Sequence, residues 1–298
     1  MINVANISIL RVFLTISLAL ISLVLSSQAS SILAFSLILT VGLLHGSNDL
    51  LIIKKVAQLE YTNRWVFIKT IAAYLFSIGI ILLAFYANRA YALFFFVLIS
   101  AFHFGQQHLA QLCTGSVASK MMLYSAYGLG IFGMLFATHP MISAEVIEAI
   151  SGYAFKTIHF QGLSVLAFIL FFFTAAFHPS FNAKKMAFEA LQLLLLWGVF
   201  LITDLLLSFA LYFAFWHAFP SLKDQIQLLY QQPFSRGIKS YVRTSYIYWL
   251  VSALAFAILI LILDVRDVQV IELLVYFLAA VTFPHVIVMS RVESLLES

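Results

Sequence analysis

Long apolar runs separated by short polar stretches dominate the chain. A helix needs about 20 predominantly apolar residues to cross the hydrocarbon core of a bilayer, and the chain contains a series of runs close to that length. They are roughly residues 7–26, 32–53, 65–87, 91–113, 121–138, 161–177, 187–203, 205–220, 245–263 and 268–290. The pattern predicts an all-α fold, a polytopic membrane helix bundle of about ten transmembrane helices within a range of about eight to ten.

Composition supports a membrane protein and excludes an ordinary soluble enzyme. The chain is 63% hydrophobic and 9% charged, with a mean hydropathy of +1.05, whereas soluble domains carry about 25% charged residues. We expect residues 1–298 to form a single integral membrane domain, with residues 221–243 as an interfacial amphipathic segment. The net charge of +4 comes from loop lysines and arginines, so no nucleic-acid partner is expected.

The placement of basic residues predicts the membrane topology of the chain. Of the 16 lysines and arginines, all but Arg89, Lys156 and Arg266 fall at the N-terminus or after even-numbered segments. Cytoplasmic loops of membrane proteins are enriched in these residues. We therefore expect ten spans in the cell inner (plasma) membrane, surrounded by lipid, with both termini cytoplasmic.

Four histidines fall inside predicted spans, all on even-numbered segments that run in one direction. His45, His103 and His217 lie about 12 to 13 residues from their segment starts and His285 about 17, so at about 1.5 Å per residue the first three share one depth. Ionisable residues at such depth are costly and mark functional sites by default. Imidazole suits iron, zinc and copper, and the single cysteine, Cys113, excludes a multi-cysteine site. These positions predict an intramembrane metal site.

Polar residues near these histidines are candidates to orient them. Asp49 follows His45 by four residues and Gln107 follows His103 by four, so each pair shares a helix face. Carboxylate and amide partners of this kind commonly fix a ligand imidazole. His108 is about 140° around the helix from His103, which favours a polar contact between helices over a ligand role.

Four short motifs together resemble the Brp/Blh family, whose members are related to the bacteriorhodopsin-associated protein. They are His45-Gly-Ser-Asn-Asp49, His103-Phe-Gly, Phe215-Trp-His217 and Pro284-His285, in the family order. The resemblance implies β-carotene 15,15'-dioxygenase activity, in which O2 cleaves the central double bond of β-carotene into two retinals. It also implies Fe(II) bound by His45, His103 and His217.

The family pattern expects a fourth histidine at position 221, where this chain has Ser221. Three interpretations are open. His285 completes the site, or three histidines suffice and leave open positions for O2, or the chain binds a carotenoid or retinoid without cleaving it. Ser221 itself is expected to lie beside the site rather than to bind the metal.

Thirty phenylalanines and 13 tyrosines indicate either lipid-facing packing or a pocket for a long, flat, apolar ligand. If a pocket exists, its predicted wall residues are Phe102, Phe104, Phe215 and Trp216, together with Phe94, Phe95, Phe96 and Phe213. A rhodopsin is the expected acceptor of the retinal. Two rival functions remain at this point, a membrane transporter and a protein that binds haem through two histidines.

Overall fold

Helices make up all the regular structure in the described part of the chain. The computed structural model describes residues 4–57, 64–265 and 268–296, so Arg266 lies outside the described residues. The helices are α1 (Val4–Ser22), α2 (Ser27–Leu37), α3 (Asp49–Val56), α4 (Arg64–Ala87), α5 (Arg89–Leu109), α6 (Val117–Thr138), α7 (Pro140–Ser151), α8 (Thr157–Ala176), α9 (Ala183–Ile202), α10 (Leu205–Leu211), α11 (Phe219–Tyr230), α12 (Phe234–Leu263) and α13 (Val268–Leu296). Two π-helical turns, π1 (Ile38–Gly42) and π2 (Tyr212–Ala218), continue α2 and join α10 to α11.

The prediction of a polytopic membrane helix bundle is confirmed. Among the described residues, eight helices are long and apolar enough to cross a membrane, with α10, π2 and α11 counted as one continuous helix. The two apolar stretches before them, Ile9–Ser22 and Ser27–Gly42, are shorter. The count therefore falls within the predicted range, and helices occupy all ten predicted segments.

Residues 221–243, the expected interfacial segment, belong to two helices. Residues 221–230 belong to α11, which directly continues π2, and residues 234–243 form the start of the 30-residue helix α12. Ser221, Leu222, Gln225 and Ile226 are buried. In this part of α11 the apolar residues Leu222 and Ile226 are buried, and the amide of Gln225 accepts from the Tyr241 hydroxyl of α12.

The second predicted span, residues 32–53, is broken rather than continuous. The helix ends after Leu44, and His45 to Asn48 form turns before α3 starts at Asp49. Gly46 lowers helix stability at this point. Asp49 therefore occupies the first turn of a new helix, where a negative charge is favourable.

Close contact between α5 and α6 positions the centre of the bundle. A Cβ at Gly105 would lie 1.9 Å from the backbone oxygen of Tyr124, and one at Gly128 would lie 1.8 Å from that of Ala101. Small residues of this kind let membrane helices approach backbone to backbone. The contact holds the segment of α5 that carries His103 at a defined distance from α6.

Candidate metal centre and apolar cavity

Four buried imidazoles from four separate chain segments meet inside the bundle. The ring centroid of His45 lies 5.1 Å from that of His217 and 4.7 Å from that of His285. The centroid of His103 lies 4.8 Å from that of His217 and 5.3 Å from that of His285. Each ring thus contacts two others, and we call this closed set of four the histidine ring.

Local irregularities in the helices present two of these side chains. His45 is the first residue of the turn that follows the end of the helix continuing π1, and its Nδ1 contacts the carbonyl of Gly42. His217 lies within π2, and Phe213, four residues earlier, stacks on it with ring centroids 5.6 Å apart. π-Helical turns inside α-helices occur frequently at functional sites.

The two remaining members come from regular helices. His103 lies on α5, and His285 follows Pro284 within α13. Proline cannot donate a backbone hydrogen bond, so the helix is locally weakened beside His285. All four histidines are at most 5% exposed.

A carboxylate fixes one member of the histidine ring. Asp49 Oδ1 accepts from His285 Nδ1 at 2.9 Å, and Asp49 Oδ2 accepts from the Tyr74 hydroxyl at 2.8 Å. An imidazole that donates from Nδ1 and is not protonated on Nε2 keeps the Nε2 lone pair for a metal ion. Asp49 was expected to orient His45, but the helix break between them turns its carboxylate toward His285 instead.

Several ring nitrogens in this cluster have no hydrogen-bond partner. Within the described residues these are Nδ1 of His217, Nε2 of His285 and both nitrogens of His103, although the side chain of Gln106, one turn later on α5, interacts with His103. Buried polar atoms in proteins are almost always paired, so each exception calls for an explanation. Unpaired imidazole nitrogens clustered in this way are suited to a metal ion.

The four imidazoles and their unpaired nitrogens fit a metal ion, although the orientations of the rings do not form a coordination sphere. Among the described side chains, no group of three or more His, Cys, Asp or Glu has its donor atoms placed to hold an ion. The contacting rings are steeply inclined, with interplanar angles of 73–90°. The χ2 torsion of histidine is broad, so rotation of the rings is the movement that would direct the nitrogens toward one point.

The histidine ring lies on the wall of an apolar cavity of about 850 Å³. That volume falls within the range of roughly 300–1,000 Å³ typical of small-molecule sites. From His103 the cavity follows α5 as far as Ala90, a distance of about 20 Å at 1.5 Å per residue. The aromatic side chains along it include Phe96, Phe104, Phe132, Phe136, Phe209 and Phe213.

Half of the eight predicted wall residues line this cavity, namely Phe94, Phe96, Phe104 and Phe213. The ring centroid of Phe104 lies 4.5 Å from that of His217. Phe102 contacts Tyr124 of α6, Phe215 is buried away from the cavity, and Trp216 faces α1. Neighbours in sequence on a helix differ by about 100° in direction, so adjacency to a histidine was a poor guide.

Two predicted partners of the histidines act elsewhere. Gln107 donates to Asp224 Oδ2 of α11 at 2.9 Å, so it joins α5 to α11 and does not orient His103. Ser221 accepts from Gln225 at 3.0 Å, and Gln225 accepts in turn from the hydroxyl of Tyr241. That hydroxyl also lies 3.0 Å from the His45 carbonyl, so Ser221 contacts the site only through this chain of hydrogen bonds.

Sequence reasoning missed Tyr74, Gln225 and Tyr241. Tyr74 lies within the apolar helix α4, where the hydroxyls of Thr70 and Ser77 bond carbonyls of their own helix, whereas the Tyr74 hydroxyl reaches Asp49 of another segment. Gln225 and Tyr241 fell in the segment assigned to the interface. Their role depends on contacts between helices that no local pattern encodes.

A second polar cluster lies on the other side of π2. It consists of Arg11, His108, Glu189 and Gln192, and we call it the Arg11 cluster. His108 Nε2 lies 2.8 Å from Glu189 Oε2, and Arg11 Nη2 donates to Gln192 Oε1 at 2.5 Å. His108 therefore faces away from the histidine ring, as its helical position predicted.

Comparison with known proteins identifies one family. A family model described as beta-carotene 15,15'-dioxygenase matches residues 36–293, a range that contains all four members of the histidine ring. No curated protein and no solved structure matches the chain.

Proposed function

The chain belongs to the β-carotene 15,15'-dioxygenase family, and on this premise we propose that it is a membrane-embedded oxygenase that cleaves a carotenoid with O2. The substrate we propose is β-carotene or a related carotenoid, cut at the central double bond into two retinals. The observation that carries the proposal is the histidine ring on the wall of a long apolar cavity.

We propose Fe(II) as the cofactor, held by His45, His103, His217 and His285. Imidazole is a good iron ligand, and the unpaired nitrogens of the cluster are available for coordination. When bound, iron would supply the O2 activation that amino-acid side chains lack. His285 replaces the histidine expected at Ser221, because its ring contacts those of both His45 and His103.

The protein's own contribution is to position the substrate and to exclude water. Phe104 and Phe213 border both the cavity and His217, so a conjugated chain in the cavity lies beside the histidine ring. Asp49 and Tyr74 hold His285 in one orientation. In the overall reaction the central C=C bond breaks, and each new carbonyl takes one oxygen atom of the same O2.

A membrane location suits this chemistry because a C40 hydrocarbon dissolves in the bilayer. Leu75, Phe94 and Val251 line the cavity and are also exposed on the outside of the bundle, so we propose that substrate enters sideways from lipid. Retinal leaves into the same phase, where a rhodopsin is the proposed acceptor. The inner membrane, with both termini cytoplasmic, is the proposed location.

Expression in a β-carotene-producing bacterial host tests the proposal. We expect retinal to accumulate, and purified protein to contain about one iron per chain by elemental analysis. His103→Ala removes an imidazole that contacts two others and should lower both iron content and retinal at least about 100-fold. His178→Ala, on the loop between α8 and α9, is the matched control and should change neither.

One alternative has an observation in its favour. Position 221, where the family pattern expects a histidine, is Ser221 in this chain, as would suit a carotenoid-binding protein that does not cleave its ligand. Such a protein would purify with intact pigment and without iron, and no retinal would form. Retinal that persists in His103→Ala would reject the proposed metal site while leaving cleavage itself standing.

A further inference from the structure

We propose that α1 acts as a clamp on π2 that sets the position of His217, with Arg11 and Thr15 as its two contact residues. The proposal rests on the assignment of His217 to the metal site. Both clamp residues lie before residue 36, where the family match begins, so the family model does not describe them.

One stripe of α1 faces the bundle. Arg11, Thr15 and Ala19 are spaced four residues apart and therefore share a helix face. Thr15 and Ala19 are at most 1% exposed, whereas Ile9, Phe13 and Leu20 on the other faces are more than half exposed. The helix thus presents a threonine and an arginine to the protein and apolar side chains to the surroundings, in a segment where a charge is expensive.

Two residues of this stripe, Arg11 and Thr15, contact the same side chain, the indole of Trp216. The guanidinium carbon of Arg11 lies 4.4 Å from the centroid of the Trp216 ring, within cation–π range. Trp216 Nε1 donates to Thr15 Oγ1 at 3.1 Å, and that hydroxyl donates back to the Arg11 carbonyl. The indole is held both over its face and at its only polar atom.

Trp216 is directly followed by His217 within π2. A residue held by α1 and a member of the histidine ring are therefore consecutive on one short, wide helical turn. Rotation of π2 would move both together. Fixing the indole fixes the rotation of π2, and so the direction in which His217 enters the cavity.

The other residues of the Arg11 cluster hold the Arg11 guanidinium in place beside Trp216. Arg11 Nη2 donates to Gln192, and the carboxylate of Glu189, one turn earlier on α9, acts electrostatically on the guanidinium. Glu189 is in turn paired with His108 of α5. Arg11 is a positioning residue, because it acts on His217 only through Trp216.

Metal affinity of the purified apoprotein in detergent gives the first test, with Co²⁺ titrated as a visible probe of imidazole coordination. We expect Arg11→Met and Thr15→Val each to weaken Co²⁺ binding about tenfold, the lower range for partners that orient a ligand. Arg11→Lys, which keeps the charge but not the planar face, should recover part of the loss. The control for Thr15→Val is Thr70→Val on α4, whose hydroxyl also bonds the carbonyl four residues earlier.

The matched control for Arg11→Met is Arg236→Met, an exposed position at the start of α12. Both controls should bind Co²⁺ as the wild type does. Wild-type affinity in Arg11→Met and Thr15→Val would overturn the clamp and leave the proposed function intact. A wild type that binds no Co²⁺ would argue against the metal site, and the clamp would then be decided by a second measurement.

That second measurement is the rate at which diethyl pyrocarbonate modifies each histidine, mapped by peptide mass spectrometry. It needs no metal. We expect His217 to react several-fold faster in Arg11→Met than in the wild type, while the loop residue His178 reacts at an unchanged rate. An unchanged His217 rate would overturn the clamp, as would an equal acceleration of all buried histidines, because a general loosening of the fold gives that result.

Discussion

The histidine ring and the Arg11 cluster flank the same turn, π2, but they differ in how many of their buried polar atoms have hydrogen-bond partners. In the histidine ring, nitrogens of three of the four members have no hydrogen-bond partner. In the Arg11 cluster, His108 is paired with Glu189, and Arg11 with Gln192, while Arg11 Nε is the one buried side-chain atom of this cluster without a hydrogen-bond partner. The first arrangement suits a ligand from outside the chain, and the second is satisfied largely by the chain itself.

The comparison separates two effects that a polar residue in a membrane span can have. A paired cluster contributes to folding, because breaking it leaves a charge without compensation in an apolar setting. An unpaired cluster contributes little to folding, because its atoms already lack partners. Mutations in the Arg11 cluster should therefore mainly lower stability, whereas mutations in the histidine ring should mainly weaken metal binding.

The largest expected effect on stability is in the Arg11 cluster. Glu189 is 3% exposed, and Glu189→Ala leaves His108 and Arg11 without their carboxylate. We expect a loss of about 3–5 kcal/mol in unfolding free energy, the usual cost of removing one partner of a buried pair. Denaturant-induced unfolding in detergent, followed by circular dichroism, measures this loss.

Glu145→Ala is the control, because Glu145 is exposed on α7, and it should change stability by less than about 0.5 kcal/mol. In the histidine ring, His103→Ala should cost less stability than Glu189→Ala while removing the metal. The comparison fails if His103→Ala proves the more destabilising of the two.

The next effect should appear in metal affinity at Asp49. Asp49→Asn retains the size of the side chain but replaces the carboxylate that accepts from His285. We expect about 10- to 100-fold weaker metal binding, as is typical when a partner of a ligand histidine is changed, with the fold retained. Co²⁺ titration of purified protein measures it.

Asp224→Asn is the matched control for that change. Asp224 also accepts two side-chain hydrogen bonds, from Gln107 and Gln111, but it does so away from the histidine ring. Its replacement should leave metal affinity unchanged. Equal losses in both variants would mean that hydrogen-bonded carboxylates act on the bundle generally and not on the metal site.

The sequence was a good guide to the spans and to the histidines, because both depend on local information. Apolar run length predicted the long helices, and equal depth on parallel segments predicted that His45, His103 and His217 would meet. The outcome for His285 followed the same logic, since a proline-weakened helix within one turn of that depth brings its ring into contact with two of the others.

The orientation of individual side chains could not be predicted from the sequence. An α-helical register predicted that Asp49 faces His45, but the turn at residues 45–48 and the π-turns change the directions of the residues that follow. Trp216 faces α1 and not the cavity, as expected for a residue about 100° around the helix from His217. Such irregularities arise from contacts between helices, such as Gly42 against Phe213, where a Cβ would lie 2.5 Å from ring carbon Cε1.

The smallest predicted effect concerns Tyr74, which contacts the histidine ring only through Asp49. Tyr74→Phe removes one hydrogen bond of 2.8 Å to the carboxylate and leaves the aromatic ring in the cavity wall. A hydrogen bond to a charged group contributes about 1.5–3 kcal/mol, of which only part reaches His285. We therefore expect metal affinity to fall only several-fold, less than for Asp49→Asn.

If the two variants lose affinity equally, the hydroxyl is as necessary as the carboxylate, and the orientation of His285 depends on the whole Tyr74–Asp49 pair. If Tyr74→Phe binds metal as the wild type does, Asp49 orients His285 without help from α4.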